Sequence, residues 1–177
     1  KPNNRYGLSK LLGEQLVEYE SRTHGLKACV LRPFMMYDEN EELGDHRSAM
    51  IRFTSDLILG RPIHVHRGSM RSWLHVTDAV RAIEAAAALD RYAVINIGHP
   101  DVMPIEALAE MIRSAVGADP SLIRTNELPA RMTLIKRPTL ERMRTLLGVT
   151  PKVGVREGVG LVCARVRERI TAGELPA

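Results

Sequence analysis

The chain has 177 residues, 45% hydrophobic and 26% charged, a balance that fits one globular domain or slightly more and excludes a disordered chain. Basic residues outnumber acidic ones 25 to 21, a net +4 too mild to demand nucleic acid, and 4% aromatic content excludes a base-stacking platform. No apolar run approaches a membrane span of about 18 residues, and the first residues carry no apolar signal region.

In chain order, Leu8, Leu11, Leu12, Leu16 and Tyr19 recur at helical spacing and predict a helix over 5–24, stopped by Gly25. Residues 27–33 (KACVLRP) read as a buried strand ending at Pro33. An acidic loop at 37–46 leads to a helix over 48–59 closed by Gly60, then a strand at 62–66 and an extended stretch at 72–76. Thr77 is placed to cap a helix reaching Leu89, with Asp78 in its positive first turn. A buried strand at 93–97 (AVINI) precedes a helix over 104–116 that starts on Pro and ends before Gly117. A short strand at 122–125 and helices over 139–147 and 157–170 complete the chain. Apolar strands alternating with amphipathic helices predict an α/β fold.

Twenty of the 25 basic residues are Arg, whose planar fork suits phosphate and carboxylate. Cys29 and Cys163 sit in separate apolar segments without zinc spacing, which reads as free thiols in a reducing cytoplasm. His64 and His66 share a strand face, but no carboxylate or Cys is placed to complete a metal site. The basic residues between 124 and 144 read as a solvated or diphosphate-facing surface, and Arg165, Arg167 and Arg169 as the wet face of the last helix. Asp78 reads as a helix-start residue, and Asn96 as a strand-end hydrogen-bonder.

Tyr6 and Lys10 carry the clearest chemistry. Four residues apart on a helix, they share a face, so phenol and ammonium can meet one ligand. A phenol ionises near pH 10 and is a poor base at neutrality; a neighbouring ammonium favours the phenolate and makes the pair an acid/base for a hydroxyl proton. The same spacing also suits a plain surface pair. Arg71, after a turn and before an extended stretch, suits a phosphate or stands solvated; Arg137 is a second candidate of the same kind.

The order of several blocks adds to this. Residues 4–14 (NRYGLSKLLGE), Leu31-Arg32-Pro33-Phe34-Met35-Met36-Tyr37, residues 68–78 (GSMRSWLHVTD), Val94-Ile95-Asn96-Ile97-Gly98, and Lys136-Arg137-Pro138 with 146–151 (LLGVTP) follow one another. Together they resemble the NAD-dependent epimerase/dehydratase family of extended short-chain dehydrogenases/reductases, which act on nucleotide sugars. The resemblance implies the second half of a Rossmann-type parallel sheet plus a smaller mixed α/β substrate-binding domain. Residues 1–35 and 71–98 would belong to the cofactor domain, and 36–70 and 99–177 to the substrate domain.

It further implies NAD or NADP as cofactor and a nucleotide-diphosphate sugar as substrate. Tyr6 would be the acid/base at a sugar hydroxyl, and Lys10 would hold the nicotinamide ribose. Pro33 and Phe34 would border the nicotinamide, and Arg71 and Arg137 would face the diphosphate. A homodimer would form through the Tyr6/Lys10 helix, leaving Leu12, Leu16 or Tyr19 uncovered in this chain. Where the family carries Asn and Gly-Pro, this chain has Met35 and Asp38-Glu39; Met35 falls at the substrate grip and cannot donate a hydrogen bond. The acidic loop would repel a diphosphate if it closed over it. The alternative is a non-catalytic cofactor-binding protein on the same fold with a degenerate sugar site. The family's glycine-rich turn has no counterpart: residues 154–160 spell G-x-x-x-G-x-G but follow Tyr6, and no strong strand precedes them. The resemblance thus implies a C-terminal portion that is inactive by itself.

Overall fold

The structure is a computed structural model that describes residues 2, 4–44, 47–130 and 132–174. Two residues of the expected acidic loop, Asp45 and His46, and Arg131 of the basic stretch lie outside the described residues.

Helix α1 (Arg5–His24) starts on Asn4, whose side-chain oxygen accepts the Gly7 N–H at 2.8 Å. It ends at Gly25, which takes the left-handed conformation (φ 71°) and donates to Ser21 O, while Leu26 donates to Glu20 O. Strand β1 (Cys29–Pro33) follows and pairs in parallel with β6 (Ala93–Ile97), in register from Cys29 opposite Ala93 to Pro33 opposite Ile97. Short β2 (Met36–Tyr37) runs parallel to β5 (Leu74–His75). Between them come α2 (Ala49–Ile58), β3 (Ile63–His66) and β4 (Met70–Ser72). Ser48 caps α2 through Ile51 N–H, and the Glu41 carboxylate accepts Ser48 N–H.

Helix α3 (Val76–Ala87) begins one residue before the expected Thr77 cap. The cap is His75, in extended backbone at the end of β5, whose Nδ1 accepts Thr77 N–H. After β6 come β7 (Val102–Pro104), α4 (Ile105–Val116), a short 3-10 turn at Pro120–Leu122, and β8 (Ile123–Asn126), which pairs in parallel with β3. Strand β9 (Ile135–Lys136) lies parallel to β4, and β7 lies antiparallel on the other side of β4. Helices α5 (Glu141–Leu147) and α6 (Val155–Thr171) close the chain.

Apolar side chains bury into two clusters. One gathers α2, α4 and α6 around Trp73, with Met50, Ile51, Leu108, Ile112 and Val162 fully buried. The other packs α3 and α5 on β6, through Ala79, Ala82, Ile95, Ile97, Met143 and Leu147. Asp78 bridges them: 1% exposed at the start of α3, it accepts the N–H groups of Lys152 and Val153 just before α6 and pairs with Arg81. This role exceeds the helix-start reading, because its partners lie far away in sequence. The helices and β1, β3, β6 and β8 fall where periodicity put them. Strands β2, β7 and β9 do not, because two or three residues carry no periodic signal.

Candidate active site

Parallel strands in an α/β sheet present ligands at their carboxyl ends. Here β1 and β6 end side by side at Pro33 and Ile97, and Phe34 N–H continues the pairing to Ile97 O at 2.9 Å. A cavity of about 640 Å³ opens between β1 and α1. Tyr6, Lys10, Glu14, Arg32 and Pro33 line it. Tyr6 is 72% exposed, and the Lys10 ammonium stands 5.4 Å from its ring centroid.

Past Pro33 the chain turns inward. Met35 takes a positive φ of 31°, unusual for a side chain of its size, and its carbonyl accepts Leu74 N–H. Its side chain packs against the Trp73 cluster. Gly98, at the end of β6, is tightly enclosed: a Cβ there would come 2.9 Å from Pro138, 3.1 Å from Ser72 Oγ and 3.3 Å from Phe34 Cβ. Ser72 Oγ in turn donates to His99 O and accepts His99 N–H. Segments carrying Phe34, Ser72 and Pro138 thus meet at one point.

Arg71 is 6% exposed, and its Nη1 donates to the carbonyls of Met70 and Leu134 at 2.8 and 3.0 Å. Among the described residues no carboxylate forms an ion pair with it, and burial pushes its pKa down. The β4–β9 register sets Lys136 directly opposite Arg71, and burial followed by Arg71's charge holds the Lys136 ammonium below its usual range. The two cations thus stand side by side with no ion pair to either among the described residues. The sequence singles out Arg137 and includes Lys136 only within the basic stretch of 124–144 and the Lys-Arg-Pro run; pairing with β4 is what sets Lys136 opposite Arg71. Arg137 lies one residue further on, exposed, next to the Pro138 that packs on Gly98.

Residues 39–41 of the acidic loop are bonded to the body. Glu39 pairs with buried His75 at 2.9 Å, Asn40 Oδ1 accepts Arg165 Nε, and Glu41 O accepts Arg169 Nη1. Arg165 and Arg167 keep the exposure expected of a wet face while bonding Asn40 Oδ1 and Val116 O, whereas the Arg169 side chain is largely covered and clamps the loop. Asn96 donates to Thr139 O, a hydrogen-bonding role. His64 meets the Asn126 amide, and among the described residues no group of three or more His, Cys, Asp or Glu is placed to hold a metal. Cys29 and Cys163 are free thiols, both pushed up in pKa by burial. Among the described residues no helix is long and apolar enough to cross a membrane.

A family model described as NAD dependent epimerase/dehydratase family matches residues 1–98. UDP-glucuronic acid decarboxylase 6 of Arabidopsis thaliana is 26% identical over 93% of this chain and 48% of its own length. The dTDP-glucose 4,6-dehydratase of Streptomyces niveus is 31% identical over 89% of this chain and 47% of its own. Among solved structures, the UDP-glucose 4-epimerase of Thermotoga maritima with UDP-glucose superposes with a TM-score of 0.86 at 25% identity, covering 93% of this chain and 54% of that one. The chain spans about half the length of the curated relatives it matches.

Proposed function

The chain belongs to the NAD dependent epimerase/dehydratase family, and from that premise we propose that the protein carrying it modifies a nucleotide-diphosphate sugar with Tyr6 as acid/base. The observation that carries this reading is the shared cavity of Tyr6, Lys10 and Pro33 at the carboxyl end of β1. Tyr6 takes the proton of a sugar hydroxyl through its phenol oxygen. Lys10, on the same helix face with its ammonium 5.4 Å from the Tyr6 ring centroid, offers that ammonium to ribose hydroxyls. Arg71 and Lys136 hold the diphosphate, with Arg137 at its outer side and Met35 at the inner wall of the sugar subsite.

The residues present suit the nicotinamide-ribose end of NAD or NADP: a cavity of about 640 Å³ with an ammonium and a phenol on one wall, and Pro33 then Phe34 at the strand end. When bound, that cofactor supplies reversible hydride acceptance. We further place residues 1–35 and 71–98 in the cofactor domain and 36–70 and 99–177 in the substrate domain. The two apolar clusters support a division of this kind with exceptions: α5, within 99–177, packs on the cofactor side through Met143 and Leu147, and Trp73, within 71–98, lies in the other cluster, with Met35 against it. The exposed stripe of Leu8, Leu12, Leu16 and Tyr19 supports a homodimer through α1. The free thiols support a cytoplasmic location.

The test is Tyr6→Phe in the intact protein, assayed with NAD and a panel of UDP- and dTDP-sugars. Turnover should fall about 10²–10⁴-fold with NAD binding retained. Turnover within a few-fold of wild type would remove Tyr6 from the chemistry.

A further inference from the structure

Helix α1 carries Tyr6 and Lys10, yet it has no buried residue, and Leu8, Leu12, Leu16 and Tyr19 are all exposed. Within this chain, therefore, few apolar contacts hold it to the body. Its link to β1 is polar: the Glu14 carboxylate accepts both Nε and Nη2 of Arg32 in a fork, with Nε to Oε1 at 2.8 Å. A two-bond fork fixes angle as well as distance, which a single contact does not. The Glu14 side chain is only 18% exposed. Arg32's attraction, against a smaller effect of burial, holds its carboxyl below the usual range, so the pair is charged at neutral pH.

The placement of the fork is informative. Tyr6, Lys10 and Glu14 follow at four-residue spacing on one helix face. Arg32 immediately precedes Pro33, the strand residue that lines the same cavity. The fork thus couples the face bearing the phenol and ammonium to the strand end beside them. We propose that Glu14 and Arg32 are a positioning pair that sets the tilt and rotation of α1, so that Tyr6 and Lys10 meet the ligand at Pro33 in reactive geometry. This rests on the reading of Tyr6 as the acid/base. Glu14 lies about 12 Å along the helix from Tyr6. Over that lever a tilt of about 5° moves the phenol by about 1 Å, a displacement of the size that costs about 10²-fold in rate.

The experiment compares wild type, Glu14→Gln, Arg32→Glu and the exchanged pair Glu14→Arg/Arg32→Glu in the intact protein. Readouts are kcat and KM with whichever panel sugar the wild type turns over, NADH binding by fluorescence, thermal midpoint, and deuterium exchange across 5–24. The expected result is a kcat loss of about 10–100-fold in each single variant. KM should stay within about threefold, the thermal midpoint should stay near wild type, and exchange across α1 should rise. The exchanged pair should recover at least tenfold of the lost kcat and restore slow exchange. Single variants with wild-type kcat, a loss confined to KM or stability, or an exchanged pair no better than the singles would overturn the proposal. A Tyr6→Phe variant that keeps turnover refutes the acid/base reading instead, whereas an inactive Tyr6→Phe beside a fully active Glu14→Gln refutes only the positioning pair.

Discussion

Tyr37 and Gly158 show how one residue's identity depends on another's position. The Tyr37 hydroxyl points at the backbone of α6, where a Cβ on Gly158 would stand 1.8 Å from the oxygen and 2.6 Å from Cζ. That oxygen is buried with no hydrogen-bond partner among the described residues, and burial, then the charges of Asp78, Glu157 and Glu39, drive its pKa well above the ordinary phenol range. Gly158→Ala should therefore destabilise by about 3 kcal/mol or more, read by urea unfolding. Tyr37→Phe should be neutral or stabilising by up to about 1 kcal/mol, because it removes a polar atom that pays for its burial. An alanine tolerated at 158 without loss would show that the ring has room to move. At this scale Tyr6 and Lys10 were legible in the sequence, since four-residue spacing on a helix is a local property. Lys136 was not, because its value comes from standing opposite Arg71 across a two-residue strand.

At the scale of elements, α1 is the outlier. Its neighbours α2, α3, α4 and α6 each bury an apolar face, whereas its own stripe of Leu8, Leu12, Leu16 and Tyr19 faces outward. If that stripe is the proposed dimer face, Leu12→Glu with Leu16→Glu should abolish self-association in sedimentation experiments. The same double change should shift the unfolding free energy of the separated chain by no more than about 0.5 kcal/mol per site, because neither side chain is buried. A wild type that sediments as a monomer at all concentrations would remove the dimer from the proposal. The helices were readable because each repeats one apolar signal over three or more turns. Of the α6 arginines, Arg165 and Arg167 stay exposed as the helical period predicts, whereas Arg169 is covered by its contacts to Glu41 and Glu174, because the period marks which residues point away from the core and not which loop lies on top of them.

At the scale of the whole molecule, two apolar cores meet at a buried carboxylate. Burial alone would raise the Asp78 pKa, but Val153 N–H, Arg81 and Lys152 N–H together outweigh it and hold the group below its usual range. With the folded pKa depressed, its contribution is fully present above the ordinary carboxyl range near pH 4 and is lost as pH falls through the folded pKa. Wild-type stability should therefore decline in acid below about pH 4, and Asp78→Ala should lack that part of the slope. At neutral pH the variant should be about 3 kcal/mol less stable, since it leaves two backbone donors and Arg81 unpaired. A parallel acid profile for variant and wild type would show that other carboxylates dominate.

Local pattern by itself determined the α/β class, the helices, the longer strands and the Tyr6–Lys10 pair, because each is written in spacings of two to four residues. Only the tertiary structure decided that Lys136 stands opposite Arg71, that α6 clamps the acidic loop, that Asp78 joins two cores and that Glu14 ties the Tyr6 helix to β1. Those contacts join residues far apart in the chain, and their partners are set by strand register and helix packing, which no short stretch of sequence encodes.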